Sequence, residues 1–380
     1  MSPRVKREYV QAIYKRYRYA RKKYKSKILD EFCQVCGYNR KYAIDKLNKY
    51  KSAKVKKRPG KPSSYNQPQI IEVLRKIWLT ANLPCSKRLV AILPHWLPFL
   101  PDLSDEVKNK LLQISAPTID RILKPIRAKH KYRGFSMTKP GTLLRKSIPI
   151  KLDQWNEFKP GFLESDTVHH CGSSMAGQYA VTVDTVDLAS GWNEARATWG
   201  LGHTGVLNQI KDIELSLPFK LLGFDSDCGG EFINQALVDY LLHRAENPVQ
   251  FTRSRPYHKN DNAHIEQKNW THIRQWIGYY RFDNPEVVPL LNDLYKNEWS
   301  LFHNFFLPSV KLISKTRDAS QTIKKYDAPK TPYQRLLESD HINAQTKLKL
   351  TEQFNKLNPF ELRQGIENKL KAIFKFAASP

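Results

Sequence analysis

Apolar residues recur at helical spacing through the first fifty positions. Ile28, Leu29, Phe32 and Val35 make one stripe, and Ala43, Ile44 and Leu47 make a second. Between them Gly37 supplies a tight turn and Asn39 a cap for the second helix. The stretch Lys15 to Lys27 predicts a basic helix ahead of this pair. Helix, short turn, basic helix is the helix-turn-helix pattern, and it turns Arg40, Lys41, Lys46 and Lys49 outward. A small helical bundle with a solvated basic face is the plainer reading. Residues 51–66 combine Lys, Pro, Gly and Ser and predict a linker that tracks phosphates. Over 67–135 the pattern predicts helices at Ile70–Thr80, Ser86–Leu93, Ser104–Ile114 and 116–124. Ser115 caps the last of these, and Pro117 sits in its first turn. The last two form a second helix-turn-helix candidate with Thr118 and Arg121 outward, or else a helical spacer.

The texture changes near residue 160. Strands are predicted at Phe162–His169, Tyr179–Val186 and Trp192–Thr198, with Ser190-Gly191 as a turn. A helix (Val206, Ile210, Ile213, Leu217), a strand Phe219–Phe224, a helix (Ile233, Leu237, Leu241), a strand Val249–Thr252 and a long helix Asn262–Tyr280 follow. Three neighbouring strands and then alternating helices and strands give a mixed five-stranded sheet with helices on its faces, in ribonuclease-H-like order. After a connector at 136–159 and this core at 160–282, residues 283–380 read as an α-helical C-terminal region. It opens with an apolar helix over Val287–Phe302. A basic connector follows through Lys311, Lys315, Arg317, Lys324 and Lys325, and then helices capped by Thr331 and Asn358. The expected class is therefore multi-domain: N-terminal all-α helix-turn-helix units, a central α/β core and a helical tail.

Charge narrows the function. Sixty-three Lys and Arg against 36 Asp and Glu leave +27 over 380 residues. Residues 1–61 alone hold 21 Lys or Arg against 4 Asp or Glu. Such an excess draws a protein to polyanions, with nucleic acid foremost. No apolar run is long enough to span a membrane, and no secretory signal is visible. Five Cys are too few and too scattered for a disulfide scaffold. Cys33 and Cys36 lack further ligands nearby in sequence and read as buried packing, not zinc ligands. A cytoplasmic, nucleoid-associated bacterial protein is the expectation.

The chemistry is expected where carboxylates break local rules. Asp166 interrupts an apolar strand, Asp227 follows a strand and precedes Gly229-Gly230, and Glu266 falls early in the long helix. Three convergent carboxylates repel unless cations hold them, so two Mg²⁺ (Mn²⁺ as a substitute) are expected, arranged for phosphoryl transfer. Asp225 shares side parity with Asp227 and is the alternative ligand; Asp187 reads as a turn cap and Asp184 as an edge residue. Arg255, His258 and Lys259 form a basic loop before the helix. Asn269 shares the Glu266 face, with Lys268 beside it, and all five are expected to touch DNA.

Several blocks carry a resemblance. Leu163–His170, Val186–Trp192, Ser226–Phe232 and Pro256–Glu266 resemble the catalytic core shared by retroviral integrases and bacterial DDE transposases. Sixty residues lie between Asp166 and Asp227, and 38 between Asp227 and Glu266. Cys228, Lys259 and Ala263 depart from that family's usual Asn, Pro and Gly. The overall arrangement is similar to insertion-sequence transposases of the IS481-like or unclassified integrase-core kind. The resemblance implies recognition of terminal inverted repeats in double-stranded DNA, 3′-end hydrolysis and strand transfer. Asp166, Asp227 and Glu266 would be the catalytic, metal-holding triad, working in at least a homodimer. A transposase-derived DNA-binding protein without activity is the alternative, and a nuclease of RNA–DNA hybrids is a third reading.

Overall fold

The computed structural model describes residues 1–50, 64–128, 158–227, 229–253, 263–318 and 321–378. It divides into two units, residues 1–64 and 65–380.

The first unit is three helices, α1 (Pro3–Tyr19), α2 (Lys22–Cys36) and α3 (Arg40–Asn48). Val10, Ile13 and Tyr17 meet Ile28, Leu29, Phe32 and Cys36 of α2 and Ala43 and Leu47 of α3 in one small core. Gly37 ends α2 at φ 67°, and the Asn39 side chain accepts from the Lys41 N–H at 2.9 Å, as the turn chemistry predicts. Two details differ from expectation. The basic segment Lys15–Lys27 is not one helix: Ala20 and Arg21 are extended. The buried stripe of α1 ends at Tyr17, and Tyr24 is 60% exposed, so no apolar side chain rewards a continuous helix there. Val35 is also exposed, leaving Cys36 to close the core.

The second unit opens with α4 (Pro68–Thr80), α5 (Ser86–Trp96), α6 (Asp105–Leu112) and α7 (Ala116–Arg127). Their apolar faces share one core with the helices of the C-terminal region. Next come β1 (Phe162–His169), β2 (Ala180–Asp187), β3 (Asn193–Trp199), α8 (His203–Ser216), β4 (Gly223–Ser226), α9 (Gln235–Leu242) and β5 (Gln250–Arg253). The sheet order is β3-β2-β1-β4-β5. β1 to β3 form an antiparallel meander, and β4 and β5 run parallel to β1. This is the mixed, ribonuclease-H-like sheet that the sequence predicts.

The fourth strand, however, sits later than Phe219–Phe224. Gly161 accepts the N–H groups of Leu222 and Gly223, and the Phe162 ring lies where a Cβ on Gly223 would fall, 2.4 Å away. Gly223 is therefore the point where pairing starts.

The long helix begins as α10 (Ala263–Lys268), widens into a π-helical turn (Asn269–Arg274) and finishes as α11 (Gln275–Ile277), with Gly278 at φ 74°. α12 (Val287–Leu294), a second π turn (Tyr295–Trp299) and α13 (Ser300–Phe306) follow. The segment read as a basic connector is a hairpin, β6 (Leu312–Asp318) with β7 (Gln321–Tyr326). Its Lys-rich sequence hid the strands, and Ile313 and Ile323 both face solvent. α14 (Pro332–Glu338), α15 (Ala344–Asn355) and α16 (Pro359–Ile373) complete the chain. The full capping box falls at Thr331 and Gln334. Among the described residues no helix is long and apolar enough to cross a membrane.

Candidate active site

The parallel pairing of β1 with β4 ends at Ser165 opposite Ser226. One step further along each strand come Asp166 and Asp227, so the register itself sets the two carboxylates side by side. Across the antiparallel ladder Asp166 also faces Asp184. Like charges directly opposite are unfavourable, and the titration follows. Burial first, then the charge of Asp227, pushes Asp166 up to about 8. Burial, then Glu231, pushes Asp227 up to about 6. The charge of Asp227 thus favours protonation of Asp166.

Four carboxylate oxygens in this group have a protein donor. The Thr167 N–H donates to Asp166 Oδ1 at 2.8 Å and Asn269 Nδ2 to Asp166 Oδ2 at 2.7 Å. The Gly229 N–H donates to Asp227 Oδ1 at 2.8 Å, and the Thr167 hydroxyl to Glu231 Oε1 at 2.9 Å. His169 stands beside Thr167 (3.3 Å) and Tyr179 (3.1 Å). Burial holds its imidazole below the usual range. Glu164, two residues before Asp166 and buried, accepts the Ile265 N–H at 3.2 Å and anchors the first turn of the long helix.

Glu231 was not singled out from the sequence, yet it lies against both aspartates. The signal was the Gly229-Gly230 turn: a Cβ on Gly229 would sit 2.5 Å from the Glu231 carboxylate. Glu266 is exposed on α10. Three residues on, Asn269 meets Asp166 instead, its other amide atom, Oδ1, buried without a partner.

The expectation of bound Mg²⁺ is therefore corrected. Among the described residues no group of three or more His, Cys, Asp or Glu is placed to hold a metal ion. The physical reason lies in the donor set: N–H and O–H groups occupy both oxygens of Asp166 and one each of Asp227 and Glu231, and the raised proton affinity of Asp166 and Asp227 relieves repulsion that a hard cation would otherwise offset.

The remaining acids have structural partners. Asp187 accepts from the Ser190 N–H (2.7 Å), the Ser190 hydroxyl (2.6 Å) and the Gly161 N–H (2.8 Å), the turn-capping role its position predicts. The Thr252 hydroxyl donates to Asp225 at 2.5 Å. Asp184 is not at an edge. It is fully buried on the strand between β1 and β3, bonded by Asn193 Nδ2 at 2.7 Å, and burial pushes it up to about 7.

The expected DNA contacts divide. Lys41 is exposed, whereas Arg40 pairs with Asp30 and Ser26 on α2 and Lys49 with Asp45. Lys46 reaches the Tyr42 hydroxyl at 2.9 Å. Arg121 is exposed and bonds Thr118 at 3.0 Å. Lys268 points inward, toward Asp184 and a cavity, where burial pushes it down to about 7. Arg255, His258 and Lys259 lie outside the described residues, as does Cys228.

The protein y4rM of Sinorhizobium fredii, itself uncharacterized, is 36% identical over 339 residues, which cover 86% of this chain and 94% of y4rM. The chain belongs to the y4rM family. No broader family profile matches. Among solved structures, a chain of the simian T-cell lymphotropic virus intasome in complex with PP2A regulatory subunit B56 gamma is 15% identical. That overlap covers 63% of this chain and 73% of the viral one, at a TM-score of 0.33. The HTLV-2 integrase catalytic core (18% identity, 40% of this chain and 91% of that one) and the BIV integrase catalytic core (17%, 48% and 96%) each give a TM-score of 0.29. The fold assignment rests on the strand order and register above.

Proposed function

We propose that this member of the y4rM family is a DNA-rearranging protein of the transposase or integrase kind, similar to those of insertion sequences. In this reading the basic helices of the first unit, with α6 and α7 as a second reader, hold the terminal repeats of a mobile element. Phosphodiester cleavage and joining take place at Asp166 and Asp227, with Glu231 beside them and Glu266 on the facing helix. Joining two ends calls for at least two copies of the chain. Thr118, Arg121, Lys41 and the loop bearing Arg255, His258 and Lys259 are the proposed DNA contacts.

The observation that carries the reading is the register of β1 and β4, which sets two acids with strongly raised proton affinity at the end of a ribonuclease-H-like sheet. Carboxylates perturbed by burial and by a specific charge partner in such a position are candidates for a functional site. The net charge of +27 supplies the matching polyanion preference.

A marker flanked by the DNA that borders the gene, placed on a plasmid in cells supplying the protein, tests this. Wild type should move the marker and Asp227→Asn should not. A second reading, a transposase-derived protein that binds ends without cutting them, is favoured by the protein donors that occupy the carboxylate oxygens. Equal end binding by both proteins with no movement by either would decide for it.

A further inference from the structure

Behind the long helix, on the side away from Asn269, lies a cavity of about 590 Å³. The turn 81–85, α5, the long helix and residues 307–310 form its walls. Its volume falls within the range of about 300–1,000 Å³ typical of small-molecule sites. Three cations line it, Arg88, Arg127 and Lys268. Arg127 is committed to Asp120 at 2.6 Å. Arg88 and Lys268 have no ion pair among the described residues, and each lowers the proton affinity of its basic neighbours.

The hydrogen bonds keep Lys268 oriented. Its ammonium meets His272 Nε2 at 3.2 Å, His272 Nδ1 meets the Thr271 hydroxyl at 2.8 Å, and that hydroxyl donates to the Gln267 carbonyl at 2.9 Å. A lysine can only donate, so Nε2 accepts and Nδ1 carries the proton. Two Lys268 N–H groups remain for another acceptor.

Part of the lining is apolar, with Leu83, Ile92, Leu307 and Val310. Asn82 and Leu83 form it at φ 59° and 61°, a left-handed conformation that a leucine rarely adopts. The Asn82 amide bonds Gln275 at 3.3 Å and pins that strained turn to the helix. Strain of this kind persists where surrounding structure demands it, commonly at ligand sites.

A pocket lined by two cations without an ion pair among the described residues and by four aliphatic side chains suits an anion with a flat apolar body. Inorganic phosphate alone would leave most of the volume empty. We propose that the cavity binds a nucleotide, its 5′-phosphate between Arg88 and Lys268 and its base against Leu83, Ile92, Leu307 and Val310. The nucleotide is either free or the 5′-phosphorylated end of a DNA strand. The proposal goes beyond the recombination reading and stands on the cavity alone.

Calorimetry on the full chain, at about 0.3 M salt to screen the general positive field, tests it. Deoxyadenosine 5′-monophosphate should bind once per chain, and deoxyadenosine at least about tenfold more weakly. Arg88→Gln and Lys268→Gln should each weaken the monophosphate by about tenfold, while Lys349→Gln, on the exposed side of α15, should not. Thermal melts identify any variant that fails to fold, and either of the two suffices. No binding by wild type at about 10 mM, equal binding of nucleoside and nucleotide, or equal effects of the Arg88 and Lys349 changes would each overturn the proposal. A 5′-phosphorylated dinucleotide that binds more tightly than both the monophosphate and its 5′-hydroxyl counterpart would identify a strand end. Weaker binding than the monophosphate would identify a free nucleotide.

Discussion

Two consecutive residues of one helix face opposite electrostatic problems. Asn269 meets a crowd of carboxylates at the end of β1 and β4, and Lys268 sits in a crowd of cations around the cavity. A π turn starts at Asn269, a feature frequent at functional sites. Asp184 and Lys268 attract each other, but burial outweighs that attraction at both. The acid side answers by binding protons and the cation side by giving them up. Structure that keeps like charges together sacrifices stability, and proteins do so mainly where a ligand or reaction needs the field.

The strongest way to break the comparison is at the acid side. If the carboxylates are the reacting groups, Asp166→Asn should reduce marker movement by about a thousandfold or more, as removal of one member of a catalytic unit commonly does. The same change should leave the fold intact, since Asn269 can turn its amide and accept the new N–H. Its otherwise unpartnered Oδ1 is available for that. A variant that still moves the marker at a tenth of the wild-type rate would remove Asp166 from the reaction.

The pH dependence of stability separates the two crowds by sign. Asp166, Asp184 and Asp227 titrate near 4 when unfolded and at about 8, 7 and 6 when folded. Between those values the folded state holds more protons, so this contribution is full below pH 4 and is lost as pH rises toward 8. Lys268 behaves oppositely. Its folded value of about 7 lies below its unfolded value, so its contribution is full above pH 10.5 and is lost as pH falls through 7. Denaturant melts should therefore show falling stability from pH 5 to 8. Asp166→Asn should flatten that limb by about 1–3 kcal/mol, after allowance for its partial contact with solvent. Lys268→Met should flatten only the alkaline limb. A single variant that flattens both would show that the two regions titrate as one network.

The glycine turn gives a smaller effect. A methyl at Gly229 would fall 2.5 Å from the Glu231 carboxylate, which is the far end of a flexible chain and can swing away. Gly229→Ala should therefore cost about 1 kcal/mol or less. It should also lower the proton affinity of Asp227, because the charge of Glu231 is what raises it after burial. Carbon-detected titration of the aspartate carboxyls checks this, and an unmoved Asp227 would show that Glu231 does not act on it.

The acid side was far more legible in the sequence than the cation side. Asp166 and Asp227 break strand patterns, and strand patterns fix which residues end a ladder together. Asp187 announced its cap through the Ser190-Gly191 turn that follows. Glu231 was hidden because a turn, not a periodic element, brings it back to Thr167. The burial of Lys268 was not legible, because helical periodicity places a residue on a face without saying what packs there. Here α5 and the turn 81–85, nearly two hundred residues away in the chain, cover that face. The hairpin β6–β7 was missed for a related reason: its described side chains are all exposed, so its strands lack the alternation by which strands are read.

The smallest expected effect sharpens the comparison most finely. Thr271 touches the cation side alone, accepting from His272 and donating to the backbone one turn earlier. Thr271→Val keeps the shape and removes the acceptor, leaving His272 Nδ1–H unpaired in a buried position. The cost should be about 1 kcal/mol, that of one lost hydrogen bond with a stranded donor. A melt at neutral pH would register it as a fall of a few degrees, while the carboxyl titration of Asp166 and Asp227 stays where it was. A shift in those carboxyls would mean that the helix transmits the change from one face to the other, and the two crowds would then have to be treated as a single site.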